Sequence, residues 1–219
     1  MNAIIELKDI CAFSGDFEVI PDLSVTFFEG RTCCLVGKAG SGKSTLLKVA
    51  AGLLIPERGQ VIYKGRSLSK MNRSEELEFR KKSAFAFQDS ALWGNQSIYN
   101  NLSLPLALHE PNLPKAESDK RVLEIARRVG YSEGLGFRPV DLSIGEQKLI
   151  SLARALILNP ELLFLDEPTS SLDEDSVDTL LKVLKEYKSL DHTIIAVTHD
   201  SRLIAELSDD ICVVAAGGQ

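Results

Sequence analysis

The stretch that decides the interpretation of this chain is Gly37-Lys38-Ala39-Gly40-Ser41-Gly42-Lys43-Ser44-Thr45. It matches G-x-x-x-x-G-K-[ST], in which glycines let successive backbone N–H groups turn inward toward phosphate oxygens. The apolar segment 31–36 predicts a buried strand before the loop, and residues 44–51 predict a helix after it, whose positive N-terminal end favours an anion. We expect Lys43 to reach the β- and γ-phosphates and Ser44 to bind Mg²⁺. The stretch therefore predicts a nucleoside triphosphate site.

Composition narrows the class of protein. The 219 residues carry a net charge of -6, with 44% hydrophobic and 26% charged residues, which is typical of a soluble globular protein. The acidic balance argues against a nucleic-acid-binding surface. No apolar run approaches the ~18–20 residues of a membrane helix, so we expect no direct membrane insertion. Four cysteines lack metal-binding spacing and are expected to be small buried residues in a reducing compartment: Cys11, Cys33, Cys34 and Cys212.

The order of apolar segments predicts an α/β protein with a mainly parallel sheet flanked by helices. We expect a single domain over residues 1–219. Residues 1–88 are predicted to form an N-terminal antiparallel β-subdomain and the phosphate-loop part of the core. Residues 89–140 are predicted to be an α-helical insertion, divided by Pro105, Pro111 and Pro114, with an amphipathic helix over 118–129. Residues 141–219 are predicted to complete the core.

A second candidate site follows the apolar strand predicted at 162–165. Asp166 and Glu167 come directly after this strand and precede Pro168. In phosphate-loop enzymes an acid in this place holds Mg²⁺, so we expect Asp166 to be a metal ligand. Glu167 would then polarise the attacking water. The alternative is an ordinary exposed acidic turn, and the phosphate loop upstream favours the catalytic interpretation.

The third feature is the hexapeptide Leu142-Ser143-Ile144-Gly145-Glu146-Gln147. It resembles the LSGGQ signature of ATP-binding-cassette (ABC) ATPases. The phosphate loop, Gln88, the hexapeptide, the "LLFLDE" strand, "SSLD" ending at Asp173, and His199 follow one another in the order of that family. The resemblance covers nearly the whole chain and implies a P-loop NTPase fold with ATP and Mg²⁺ as cofactors.

The resemblance also implies roles for these residues. Two copies of the chain are expected to form a head-to-tail homodimer around two ATP molecules. Ser143, Gly145 and Glu146 would meet the γ-phosphate held by the other copy, where free N–H groups at a helix start favour an anion. Gln88 would link Mg²⁺ to the attacking water, His199 would contact the γ-phosphate, and Asp173 would join the nucleotide site. Ser143 and Glu146 also fit a capping box, which is compatible with this role.

Two departures from the family pattern concern the nucleotide. Ile144 replaces the first glycine of the signature and Glu146 replaces its glutamine, so an extra acid near the γ-phosphate is expected to weaken the ATP sandwich unless it points away. The family places an adenine-stacking tyrosine where this chain has Ser14. Phe13 and Phe17 are the candidates to replace it, and both also suit the core of the N-terminal sheet.

The task implied by the resemblance is transport. The partner would be a transmembrane permease whose cytoplasmic helix docks between the core and the helical insertion, placing the chain on the cytoplasmic face of the inner membrane. Segments 87–93 and 98–106 resemble ATPases of Mce-type transporters, which maintain lipid asymmetry, so lipids or other hydrophobic molecules are the expected cargo. Lipoprotein-releasing and cell-division ABC systems share these elements. A soluble, non-transport ABC ATPase is a further alternative, which the acidic balance and single cassette disfavour.

Overall fold

Strands and helices alternate along most of the chain in this computed structural model, which describes residues 1–14 and 17–215. The strands are β1 (Ala3–Ser14), β2 (Phe17–Phe28), β3 (Thr32–Val36), β4 (Arg58–Tyr63), β5 (Arg66–Ser67), β6 (Ser83–Ala86), β7 (Leu162–Asp166), β8 (Thr193–Val197) and β9 (Asp210–Val213). The helices are α1 (Lys43–Ala50), α2 (Arg73–Lys82), α3 (Ile98–His109), α4 (Lys115–Arg128), α5 (Ile144–Leu156), α6 (Glu174–Lys188) and α7 (Ser201–Leu207).

A five-stranded parallel sheet in the order β6-β7-β8-β3-β9 carries the fold. Every residue of β7 and β8 is buried, which explains why both read as continuous apolar runs in the sequence. Such strands need cover on both faces, and the helices that separate them along the chain supply it. The predicted α/β class is confirmed.

A second sheet is antiparallel and has the order β2-β1-β4-β5. Its buried side chains, among them Ile5 and Phe27, pack with α1 and with one face of the parallel sheet, represented by Phe164 and Ile195. Side chains of the other face of the parallel sheet, among them Leu163, belong to one buried cluster with residues of α3, α4, α5, α6 and α7. The hydrophobic core therefore lies on both faces of the parallel sheet.

Three helices differ from the sequence-based expectation. Helix α2 was not predicted, because Phe79 is its single buried side chain and leaves no apolar stripe to recognise. Its start is instead fixed by a capping box between Asn72 and Glu75. Pro105 lies inside α3 rather than ending it, since the buried Leu102 and Leu106 anchor the helix on either side. Helix α4 begins at Lys115, three residues earlier than predicted.

The carboxyl ends of the parallel strands meet at one edge of the sheet, where ligands bind in folds of this kind. Strand β3 leads into the phosphate loop, β7 ends at Asp166, and β8 ends two residues before His199. Within the described ranges, no helix combines the length and apolar character needed to cross a bilayer.

Candidate nucleotide-binding and catalytic site

The phosphate loop joins β3 to α1 and depends on glycine at two points. Gly42 has φ +87° and a Cβ there would lie 2.9 Å from the Val19 carbonyl oxygen. A Cβ on Gly37 would lie only 2.3 Å from the Val214 carbonyl oxygen. Both positions therefore exclude a side chain, so the loop can keep its backbone turned toward the space above α1.

Two polar groups of the loop fit a phosphate. The buried Lys43 ammonium donates to the carbonyl oxygens of Gly37 and Lys38 at 2.9 and 2.8 Å, which holds the amine inside the curve of the loop. The Ser41 hydroxyl is buried and has no hydrogen-bond partner in the described part of the chain. A buried polar group without a partner is costly, and a phosphate oxygen would satisfy it. The loop thus has the donors that a nucleotide requires.

The predicted magnesium ligands lie together. The Ser44 hydroxyl donates to Asp166 Oδ1 at 2.7 Å, although the two residues are 122 positions apart in the chain. Asp166 is only 3% exposed at the end of β7. A hydroxyl and a carboxylate are hard oxygen ligands, and Mg²⁺ commonly takes one or two such groups with phosphate oxygens. The donor set fits Mg²⁺ bound beside a nucleotide. Thr45, the last residue of the motif, is partly buried in the first turn of α1.

Glu167 and His199 face each other next to this pair. Glu167 Oε1 lies 3.3 Å from His199 Nε2, and the glutamate side chain is 16% exposed against 57% for the histidine. Glu167 has φ +47° and its N–H donates to the Val197 carbonyl oxygen at 2.9 Å. A left-handed conformation is strained for a residue other than glycine. The backbone thus turns sharply at the residue predicted to activate water.

Gln88 lies at the same edge of the sheet. It follows β6 by two residues, and β6 pairs with β7 in a register that sets Ala86 opposite Leu165. The Gln88 side chain is exposed. The turn that follows it is strained, with φ +64° at Ser90 and +45° at Ala91.

Side chains of helix α5 hold that turn in place through hydrogen bonds. The Ser151 hydroxyl donates to the Ser90 carbonyl oxygen at 2.8 Å, and Arg154 donates to the carbonyl oxygens of Ser90 and Ala91. Burial lowers the pKa of the Arg154 guanidinium from its usual value. The backbone next to Gln88 is therefore held by the buried Ser151 and the partly buried Arg154, on the helix that begins at the signature.

The signature segment forms the start of α5. Ser143 is the N-cap: its hydroxyl donates to Glu146 Oε2 at 2.7 Å and accepts from the Glu146 N–H at 3.2 Å. The Ser143 N–H also donates to Glu146 Oε2, at 2.8 Å. The predicted capping box is confirmed, and the Glu146 carboxylate points at Ser143 rather than away from it. Ile144 is 62% exposed, and Gly145 lies against α6, where a Cβ would be 3.1 Å from the Ser176 hydroxyl.

The remaining predicted positions lie as follows. Asp173 is the N-cap of α6 and accepts from the Ser176 N–H at 2.8 Å. Hydrogen bonds from the Ser176 side chain and backbone lower the pKa of the Asp173 carboxyl. Phe13 and Phe17 are 43% and 78% exposed, so the alternative that they belong to the core is wrong. Both rings remain candidates for stacking on adenine. Lys38, Ala39 and Gly40 are exposed at the tip of the phosphate loop.

One residue of the site was missed by sequence reasoning. The buried Lys148 ammonium donates to the Glu167 carbonyl oxygen at 3.1 Å and to the Ser170 hydroxyl. Burial lowers the pKa of Lys148, while the charges of Glu167 and Asp166 act in the opposite direction. The signal that could have found it is a lysine directly before the apolar run Leu149-Ile150 on the buried side of a helix.

Comparisons with known proteins agree with this geometry. Residues 20–170 match the family model described as ABC transporter. The chain is 33% identical over 215 residues to the methionine import ATP-binding protein MetN of Clostridioides difficile. The aligned region covers 98% of this chain and 66% of that protein. It is 34% identical over 191 residues to the ABC transporter ATP-binding protein YtrE of Bacillus subtilis, covering 86% of this chain and 82% of that protein.

One solved structure shares its fold with this chain over nearly the full length of both. The dimeric cassette MJ0796, described as a post-hydrolysis state bound to ADP and Pi, matches with a TM-score of 0.89 and 26% identity, covering 98% of this chain and 97% of that one. The chain spans between 58% and 67% of the length of the methionine import relatives. The named relatives give no support to the narrower resemblance to Mce-type lipid ATPases. Because the family model and the solved cassette both match across the phosphate loop and the signature, this chain belongs to the ABC transporter family and carries its ATPase domain, with ATP and Mg²⁺ as cofactors.

Proposed function

We propose that this chain is the ATP-hydrolysing subunit of a membrane transporter and that it works as a head-to-tail homodimer around two ATP molecules. The observation that carries the proposal is the placement of Glu167 and His199 beside the Ser44–Asp166 pair, at the mouth of the phosphate loop. A nucleotide site without a base would bind ATP only. Here a carboxylate stands next to the expected metal ligands, as hydrolysis requires.

Each residue of the site would have its own role in binding and hydrolysing ATP. Lys43 would exchange its two loop carbonyls for phosphate oxygens, and Ser44 and Asp166 would hold Mg²⁺. When bound, Mg²⁺ neutralises charge on the β- and γ-phosphates. Glu167 would accept a hydrogen bond from the attacking water and His199 would orient it.

The proposal of a homodimer depends on the signature segment at the start of α5. Ser143 is exposed at the start of α5, and among the described residues its side-chain hydrogen bonds are confined to Glu146. Two solved structures of one cassette with the same fold, MJ0796, are described as dimeric. We infer that Ser143 and Gly145 of one copy complete the ATP site of the other. ATP would then close the dimer, and loss of the γ-phosphate would loosen it.

The permease would dock in a groove between the core and the helical insertion, at residues 89–140. A cavity of about 270 Å³ lies there between β6, α3 and α5, with Phe85, Leu104 and Leu108 on its wall and Lys81 at its rim. An apolar wall with a charged residue beside it suits an amphipathic helix presented by a membrane protein. This arrangement would hold the chain on the cytoplasmic face of the inner membrane.

Two substrate classes have support. The segments around 87–106 favour lipids or other hydrophobic molecules, as in Mce-type systems, or the related lipoprotein-releasing and cell-division systems. The identity of 33% to a methionine import protein over 98% of this chain favours import of a small polar molecule instead. The permease contacts the substrate, so its identity decides between them.

The test is a pull-down from membranes with tagged Glu167→Gln protein and ATP. The substitution is expected to abolish hydrolysis while ATP-dependent dimers accumulate, since it removes the base and leaves the binding groups. A co-purifying permease supports transport, and an accompanying Mce-type lipid-binding protein supports the lipid class. Lys43→Ala protein is the matched control. An active and monomeric Glu167→Gln protein, or recovery of soluble partners alone, would overturn the proposal.

A further inference from the structure

A lysine ammonium lies directly behind the proposed catalytic glutamate. Lys148 is on α5, five residues after the signature serine, and its side chain passes into the interior instead of toward solvent. Its amine donates to the Glu167 carbonyl oxygen at 3.1 Å and to the Ser170 hydroxyl. A buried charge is costly unless it is paired and hydrogen-bonded. Two acceptors and the nearby carboxylates of Asp166 and Glu167 provide that compensation here.

The backbone that accepts the hydrogen bond from Lys148 is strained. Glu167 has φ +47° and Ser171 has φ +62°, so the turn contains two left-handed residues that are not glycine. The Glu167 carbonyl oxygen also accepts from the Ser170 N–H at 3.2 Å and from the Ser170 hydroxyl at 2.9 Å. Strained backbone persists where the surroundings fix it with several contacts. Lys148 adds hydrogen bonds to this turn from helix α5.

We propose that Lys148 is a positioning residue for hydrolysis: its amine fixes the backbone of Glu167, and so the place of the Glu167 carboxylate, relative to the helix that begins at Ser143. The proposal rests on the role of Glu167 given above. Because Lys148 holds the main chain and not the carboxylate, it leaves the side chain free to accept a hydrogen bond from water. It also joins the catalytic turn of one ATP site to the helix whose start would complete the other site.

A purely structural role for Lys148 makes a different prediction. Loss of a buried contact would lower stability and impair nucleotide binding and turnover together. Loss of positioning would lower kcat alone, because the phosphate loop and the Ser44–Asp166 pair do not contact Lys148 through any hydrogen bond in the described ranges. The two possibilities therefore differ in whether the substitution changes kcat alone or changes kcat and KM together.

The experiment compares Lys148→Met, Lys148→Arg and the control Lys182→Met, which removes an exposed lysine of α6. Lys148→Met keeps the chain length and loses the donors. We expect its kcat to fall by about a hundredfold, the cost of misplacing a catalytic group by roughly 1 Å, with the KM for ATP within about twofold of the parent protein. Lys148→Arg is expected to restore most of kcat because a guanidinium donates to the same acceptors.

A second measurement does not depend on hydrolysis. Hydrogen exchange in nucleotide-free Lys148→Met protein should be faster in the peptide covering 167–173 and unchanged in β3 and β8. Parental kcat in Lys148→Met, equal losses in kcat and ATP affinity, or unchanged exchange in that peptide would each overturn the proposal. Persistent hydrolysis by Glu167→Gln protein would instead overturn the proposed function on which it rests.

Discussion

Replacing Glu146 with glutamine should strengthen ATP-dependent dimerisation. The Glu146 carboxylate accepts from both the hydroxyl and the N–H of Ser143, at 2.7 and 2.8 Å. The hydroxyl has one proton, so an anion that accepts it at about 2.7 Å would replace the carboxylate as its acceptor and would stand no more than about 5.4 Å from the carboxylate oxygen in its present place. At an effective dielectric constant near 20, two unit charges at this distance repel by about 3 kcal/mol. Glu146 is partly exposed, and screening reduces this to about 1–2 kcal/mol.

Because a head-to-tail homodimer contains two such sites, the repulsion removed is about 2–4 kcal/mol per dimer, and we expect a dimer dissociation constant about 30- to 900-fold lower in Glu146→Gln protein. Glutamine also serves in a capping box, so the helix start should survive the change. The assay is sedimentation equilibrium of the Glu167→Gln background with Mg-ATP, at low and high salt. Glu78→Gln, which removes an exposed charge from α2, is the control. An unchanged or weaker dimer, or a gain that persists at about 1 M salt, would refute the electrostatic reasoning.

Three further outcomes are expected. Lys43→Ala should lose ATP binding in equilibrium dialysis, because it removes the ammonium from the curve of the loop; unchanged affinity would count against the phosphate-loop assignment. Ser143→Arg should leave nucleotide binding to the monomer intact while blocking turnover, and surviving turnover would show that the signature is not used between copies. Burial raises the pKa of the Glu161 carboxyl, but hydrogen bonds from Tyr63 and Lys64 outweigh it and lower the pKa overall. That stabilisation is present above the unfolded pKa of about 4.3 and is lost as the pH falls through the lower folded value. The loss of stability as the pH falls below about 4.3, monitored by circular dichroism, should therefore be smaller in Glu161→Gln protein, and an unchanged profile would contradict this role of Glu161.

The parts of the site that could be predicted from the sequence lie at the ends of parallel strands. Ser44 and Asp166 are far apart in the chain, yet Ser44 follows the phosphate loop that leaves β3 and Asp166 ends β7, and a parallel sheet brings the carboxyl ends of its strands to one edge. The same rule places Gln88 and His199 near them. The fold class could also be predicted, because fully buried strands such as β7 appear in the sequence as unbroken apolar runs.

The parts that could not be predicted depend on contacts made by few side chains. Helix α2 buries Phe79 alone, so no periodic pattern marks it. Lys148 reaches a backbone carbonyl 19 positions away, and a backbone acceptor leaves no trace in the sequence.

Three strained residues of the site are held by one helix. Ser90, Ala91 and Glu167 all have positive φ, and the carbonyl oxygen of each accepts a hydrogen bond from a side chain of α5. The donors are Lys148, Ser151 and Arg154, spaced three residues apart on that helix. Since such conformations cost about 1–3 kcal/mol each, they persist only while the contacts that impose them remain. Catalytic geometry at the ends of β6 and β7 therefore depends on how α5 is packed, and not only on the signature residues at its start.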